Sequence, residues 1–198
     1  CCSRGICLST NDIVEGFTRY LHDNILPSWE PETRQQIKED NFSAEFDLFS
    51  EYDRLLEDPS LRLSEKLKLV DVPSRRRIIK FVSKLMDVYE IRKEILVYAM
   101  ILLKRFLLIS QWSLRATTWR SLVVTSLRLA LKTEDDIHFP AEDIHYLYPI
   151  FTPAEFVRMN ITFLQLIDYR MFVLLEDLSC LALALSAFPL PTFLLVFV

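Results

Sequence analysis

Glycine is almost missing from this chain of 198 residues; Gly5 and Gly16, both near the start, are the whole supply. Sandwiches, barrels and dinucleotide-binding units use glycine at tight turns and where backbone must approach a phosphate, so this scarcity favours an all-α fold. No phosphate-cradling glycine loop is recognisable either. Positive charge is not in excess: 23 Lys and Arg face 27 Asp and Glu, a net of −4, which argues against a nucleic-acid partner. Cysteine is limited to Cys1, Cys2, Cys7 and Cys180, and no pair has zinc spacing with His22, His138 or His145. These thiols read as reduced, in an intracellular (cytoplasmic or nuclear) protein, with acylation of Cys1 and Cys2 as the sharper alternative. Arg4 is followed by only a short apolar stretch, so no secretory signal is expected. Glu134, Asp135 and Asp136 are adjacent carboxylates that read as a solvated loop, and no nucleophile–base set accompanies them. Neither an enzyme of its own nor a metal or cofactor site is expected.

Apolar residues, by contrast, are plentiful and periodic. They make up 51% of the chain, too much for a disordered polypeptide and enough for one good core. Thr10–Asn11–Asp12 reads as a helix start, with Ile13, Val14, Phe17, Leu21 and Ile25 following at helical spacing until Pro27. Ser28 to Glu39 reads as a loop or weak helix. Phe42, Phe46, Phe49, Leu55 and Leu56 mark a second helix that Pro59 stops, and Leu61 to Val70 a short amphipathic piece.

From Pro73–Ser74 onward the pattern tightens into five helices of unequal length. The first carries Ile78, Ile79, Val82, Leu85, Met86 and Tyr89 as one stripe behind the basic triplet Arg75–Arg76–Arg77. A break near Tyr89–Arg92 separates it from a very apolar second helix, Ile91 to Leu108. Residues 110–115 link this to the third, Trp119 to Asp136, with Thr117 or Thr118 as cap. Leu122, Val123, Leu127, Ala130 and Leu131 recur there, small residues sit between them, and Lys132 falls in the last turn where the helix dipole favours a cation. Thr133 to Phe139 is polar; Pro140 opens a short fourth helix, Ala141 to Leu147. Thr152-Pro153-Ala154-Glu155 is a capping box that opens the fifth, through about Asp168. The run from Leu178 to Val198 holds no charge and nears the length of a membrane span, but Pro189 and Pro191 interrupt it. It reads as a packed helix with an apolar tail, and as a membrane anchor in the alternative.

Three blocks in this order resemble the cyclin family. Tyr89 to Leu107, YEIRKEILVYAMILLKRFL, resembles the second cyclin helix, including the closing Arg105–Phe106–Leu107. Leu129-Ala130-Leu131-Lys132-Thr133-Glu134-Asp135 resembles the leucine-alanine-serine-lysine-x-acid-acid signature, and Arg158-Met159-Asn160-Ile161-Thr162-Phe163-Leu164 the arginine-methionine-glutamate turn of the fifth helix. The link SQWSLRATTWRSLV, with Trp119–Arg120 opening the third helix, is similar to cyclin Y and phosphate-regulatory (PHO-type) cyclins, which carry a single cyclin box. The division expected is an N-terminal extension, partly helical (1–72), a cyclin box around a buried central helix (73–172), and an apolar C-terminal helix or tail (173–198) too short for a second box.

The resemblance implies a regulatory subunit that binds and activates a cyclin-dependent protein kinase by holding the kinase's glutamate–lysine pair in its active arrangement. By position, Lys132 would reach kinase backbone carbonyls with three donors on a long stem. Leu129, Leu164, Tyr169 and Met171 match family positions of the apolar kinase-facing surface. Asn160 stands where the family places a glutamate partnered with the lysine; asparagine keeps an acceptor but loses the charge, leaving Lys132 less firmly oriented. Many cyclins also pair an aspartate at the position of Lys104 with an arginine at that of Arg77; both are basic here, so that pair cannot form. The alternative implied is a cyclin-fold interaction module without kinase activation, with membrane association through the apolar tail.

Overall fold

The computed structural model describes residues 9–25, 47–52, 54, 71–134, 143–145, 148–174, 177 and 181. Its long elements are all α-helices: α1 (Thr10–Asn24), α2 (Arg75–Val88), α3 (Lys93–Ser110), α4 (Trp119–Glu134) and α5 (Pro153–Leu166). The fold is all-α, as the glycine scarcity predicts.

Helix α1 starts one residue earlier in its capping logic than Thr10–Asn11–Asp12 implies. Ser9 is the N-cap: its hydroxyl accepts from the Asp12 N–H at 3.2 Å, and the Asp12 carboxylate accepts from the Ser9 N–H at 3.0 Å. Ile13, Phe17, Leu21 and Ile25 form the buried stripe that packs α1 across α2 and α3. In α2 the stripe is Ile78, Val82, Leu85 and Met86. Its end lies at the expected break: Glu90 adopts a left-handed conformation (φ 50°), and the Ile91 N–H returns to the Met86 carbonyl at 2.9 Å. This is the Schellman closure that usually recruits glycine.

Helix α4 is the centre. Every residue from Trp119 to Leu131 is buried, so it carries no solvent stripe until its last turn. Its most extensive packing is against α3, and α5 packs on both. Phe106 of α3 stacks on Phe163 of α5 with centroids 4.4 Å apart, and Trp112 meets Phe106 edge-on at 5.3 Å. Small polar residues inside α4 are satisfied locally: the Thr125 hydroxyl donates to the Ser121 carbonyl at 2.7 Å and Ser126 to Val123 at 2.9 Å. Thr118 precedes the helix, but its hydroxyl accepts from the Arg115 N–H at 3.2 Å. Residues 133 and 134 belong to α4, in keeping with a helix running toward Asp136 and not with a loop from Thr133, and the Thr133 hydroxyl is bonded back to the Leu129 carbonyl at 2.9 Å.

The helix expected over Phe42 to Leu56 is not continuous. Residues 47–49 are helical, and Ser50 and Glu51 are not. The Glu51 N–H bonds the Thr117 carbonyl at 2.9 Å, so the chain leaves helical geometry to pair with the loop before α4. Residues 143–145 are helical within the expected fourth helix, and Tyr89 ties them to α2 by donating to the Asp143 carbonyl at 2.8 Å. Tyr52 and Arg54 are helical again, and the remainder of both stretches lies outside the described residues. So do Ser28–Glu39, Leu61–Val70, residues 135–140 and, apart from Leu181, the run from Leu178 to Val198. Among the described residues no helix is long and apolar enough to cross a membrane.

Candidate functional site

The last turn of α4 is where the buried helix reaches solvent. Leu129 and Leu131 are buried, whereas Lys132, Thr133 and Glu134 are exposed. Among the described residues no side chain pairs with the Lys132 ammonium. A lysine at this point faces no dipole penalty and keeps all three donors available. Leu129 supports it from within the core, at 4% exposure, and presents no surface of its own.

Helix α5 packs on α4 and carries Asn160 and Leu164, one helical turn apart and both half-buried. Thr152 caps α5: its hydroxyl accepts from the Glu155 N–H at 3.3 Å, and the Glu155 carboxylate accepts from the Thr152 N–H at 2.8 Å, as the sequence predicts. Burial alone would raise the Glu155 carboxyl, but the Thr152 bonds and the ion pair with Arg54 hold it below its ordinary value. The Asn160 Oδ1 is buried and has no hydrogen-bond partner among the described residues. An uncompensated carbonyl oxygen inside a packed helix pair is costly, and it lies at the position the resemblance singles out.

Beyond α5 the chain turns on Asp168 and Tyr169, both left-handed (φ 54° and 55°). The Asp168 N–H bonds the Gln165 carbonyl at 3.0 Å and the Tyr169 N–H the Leu164 carbonyl at 2.8 Å, a second Schellman closure without glycine. Tyr169 emerges 63% exposed, while Met171 is half-buried against the core. The Tyr98 hydroxyl of α3 donates to the Met171 carbonyl at 2.6 Å. Its phenol is raised by burial first and then by the charge of Glu134. Tyr169 and Met171 thus follow directly on α5, downstream of Asn160 and Leu164, and Met171 is tied to α3 through Tyr98.

Sequence reasoning missed the charge network at the opposite end of α4. Arg120 and Glu51 are both buried; the guanidinium Nε lies 3.0 Å from Oε1, and Nη2 closes a second contact to Oε2. Tyr148 donates its hydroxyl to Glu51. Burial works against the Arg120 charge, but Glu51 and Tyr148 outweigh it and hold the guanidinium above its ordinary value. Burial pushes the Tyr148 phenol well up, and the Glu51 charge adds to it. Arg77 is lowered by burial first and then by Arg120, while Glu51 acts the other way. Lys104, also depressed by burial, lies over the Tyr20 ring at 6.0 Å. A buried ion pair is therefore formed by Arg120 and Glu51, neither of them in the Arg77–Lys104 pair of positions. Among the described residues no group of three His, Cys, Asp or Glu side chains is placed to hold a metal ion.

The site thus belongs to an all-α domain whose central helix is buried from Trp119 to Leu131, packs against α3 and α5, and ends on an exposed lysine. The profile of the cyclin N-terminal domain matches residues 48–172, and the chain belongs to the cyclin family and contains a cyclin box. Domains of this family are regulatory rather than catalytic and work through protein partners. No curated protein and no solved structure matches the chain. The matched span includes Glu51, whose pairing with Arg120 fastens the segment before α2 to the box.

Proposed function

We propose that this protein is the regulatory subunit of a cyclin-dependent protein kinase, which it binds and activates inside the cell, and that its kinase is of the type served by cyclin Y or PHO-type cyclins. The observation that carries the reading is Lys132: in a cyclin-family domain, it stands exposed in the last turn of the buried helix, unpaired among the described residues. Activation here needs no proton transfer by the cyclin. The chain has only to bind the active arrangement of the kinase more tightly than the inactive one; that difference in affinity sets the population shift. Lys132 supplies donors to backbone carbonyls, and Leu164, Tyr169 and Met171 supply apolar area around it, with Leu129 fixing the turn from below.

The test is binding of the purified full chain to a panel of purified cyclin-dependent kinases, with peptide phosphorylation as second readout. A partner should bind and gain activity, and Lys132→Ala should weaken binding about tenfold or more. Unchanged affinity of that variant would remove Lys132 from the interface.

The unpartnered Oδ1 of Asn160 favours a second reading, an interaction module that binds without activating. Asparagine offers Lys132 no countercharge. Under the first reading Asn160→Glu orients Lys132 and strengthens both binding and activation. Binding that neither activates the kinase nor responds to Asn160→Glu would decide for the module.

A further inference from the structure

We propose that Phe172 is an additional anchor of the kinase-binding surface and that Arg105 is its positioning residue, an inference that rests on the kinase-binding reading above. Three successive carbonyls after α5 are held by side chains of α3. Arg105 donates to the carbonyl of Arg170 and, at 3.1 Å, to that of Phe172, and Tyr98 donates to that of Met171 at 2.6 Å. Tyr98 and Arg105 are two helical turns apart and so share one face of α3. Val173 is buried and pegs the segment to the core. The backbone is thereby immobilised while the side chains are left outside: Phe172 is 78% exposed, with Tyr169 and Leu174 beside it.

Two features distinguish this from an incidental exposed phenylalanine. The turn that launches the segment uses two consecutive non-glycine left-handed residues, Asp168 and Tyr169, and such backbone strain persists where surrounding structure enforces it. The segment is also continuous with the surface assigned to the kinase above, because Phe172 directly follows Met171, whose carbonyl Tyr98 holds. An aromatic side chain on a clamped backbone presents large contact area with little ordering entropy left to lose. The occupant is an apolar recess of the same kinase, next to the carbonyls that Lys132 engages.

The experiment is a double-mutant cycle on the full chain, against the panel kinase that the unmodified protein binds. Phe172→Ala should weaken binding about tenfold with no change in melting temperature, because the side chain makes few contacts within the fold. Arg105→Gln should weaken binding too; the double variant should be no weaker than Phe172→Ala by more than about twofold, and Arg105→Lys should restore part of the loss. If Phe172→Ala binds within about twofold of the original while Lys132→Ala does not, the Phe172 anchor is overturned and the kinase reading stands. If the two losses simply multiply, Arg105 does not act through Phe172. If no kinase binds the unmodified chain, both readings fall.

Discussion

Arg120 enters the core in the first turn of α4, where positive charge is disfavoured by both burial and the helix dipole. It is tolerated because Glu51, wholly buried, meets it with both carboxylate oxygens, and Tyr148 satisfies one of these in addition. Breaking one side leaves the other as an uncompensated charge. Glu51→Gln or Arg120→Met should each destabilise the protein by about 3 kcal/mol or more in urea unfolding, while joint replacement by apolar residues of similar volume should recover most of the loss. Lys132, the functional candidate, has the opposite character: it is exposed, so Lys132→Ala should shift the unfolding midpoint by no more than about 0.5 kcal/mol. That contrast separates loss of partner binding from loss of fold. Lys132 was legible from its block of neighbours; Glu51 was not, because its partner lies 69 residues away and nothing local marks a carboxylate that will be buried.

The helices owe their ends to side chains standing in for glycine and for missing hydrogen bonds. Asp12 and Glu155 both sit at the third position of a capping box, and both carboxyls are held below their ordinary values, Asp12 by Ser9 and Glu155 by Thr152 and Arg54 against its burial. A depressed folded value gives stability that is present above the unfolded value and lost as pH falls through the folded one. Melting temperature should therefore drop as pH is taken below about 4.5, and Glu155→Gln should flatten that acid limb while costing about 1 kcal/mol at neutral pH. Glu90 and Gln111 are exposed residues in left-handed geometry. Glycine removes the Cβ clash there but loosens the unfolded chain, so Gln111→Gly should raise stability by about 0.5 kcal/mol, measurable as a small rise in denaturation midpoint. The Thr152 box was readable because proline and glutamate surround it in the right order. At α1, Ser9, Thr10, Asn11 and Asp12 are all good capping types, and only the backbone path selects Ser9.

The molecule as a whole depends on what precedes α2. Helix α1 places Phe17 and Leu21, both wholly buried, against α2 and α3, and Phe49 lies 5.9 Å from Phe106 at the centre of the aromatic cluster. A chain beginning at residue 73 would lose all three and strand Arg120 without Glu51. It should show no cooperative thermal transition, whereas the full chain should unfold in one; calorimetry of the two tests this. Local periodicity, scarce glycine and the Thr152 capping box were sufficient to establish an all-α chain with helices near 75–88, 93–110, 119–134 and 153–166, since these depend on residues within one or two turns of each other. The choice of α4 as the buried centre could be read the same way, from its apolar residues at helical spacing with small residues among them. Which charge enters the core, which carboxylate meets it, and which backbone carbonyls Arg105 and Tyr98 clamp arise only on folding. Each joins groups tens of residues apart, and no spacing along a chain encodes a contact made by packing three helices together.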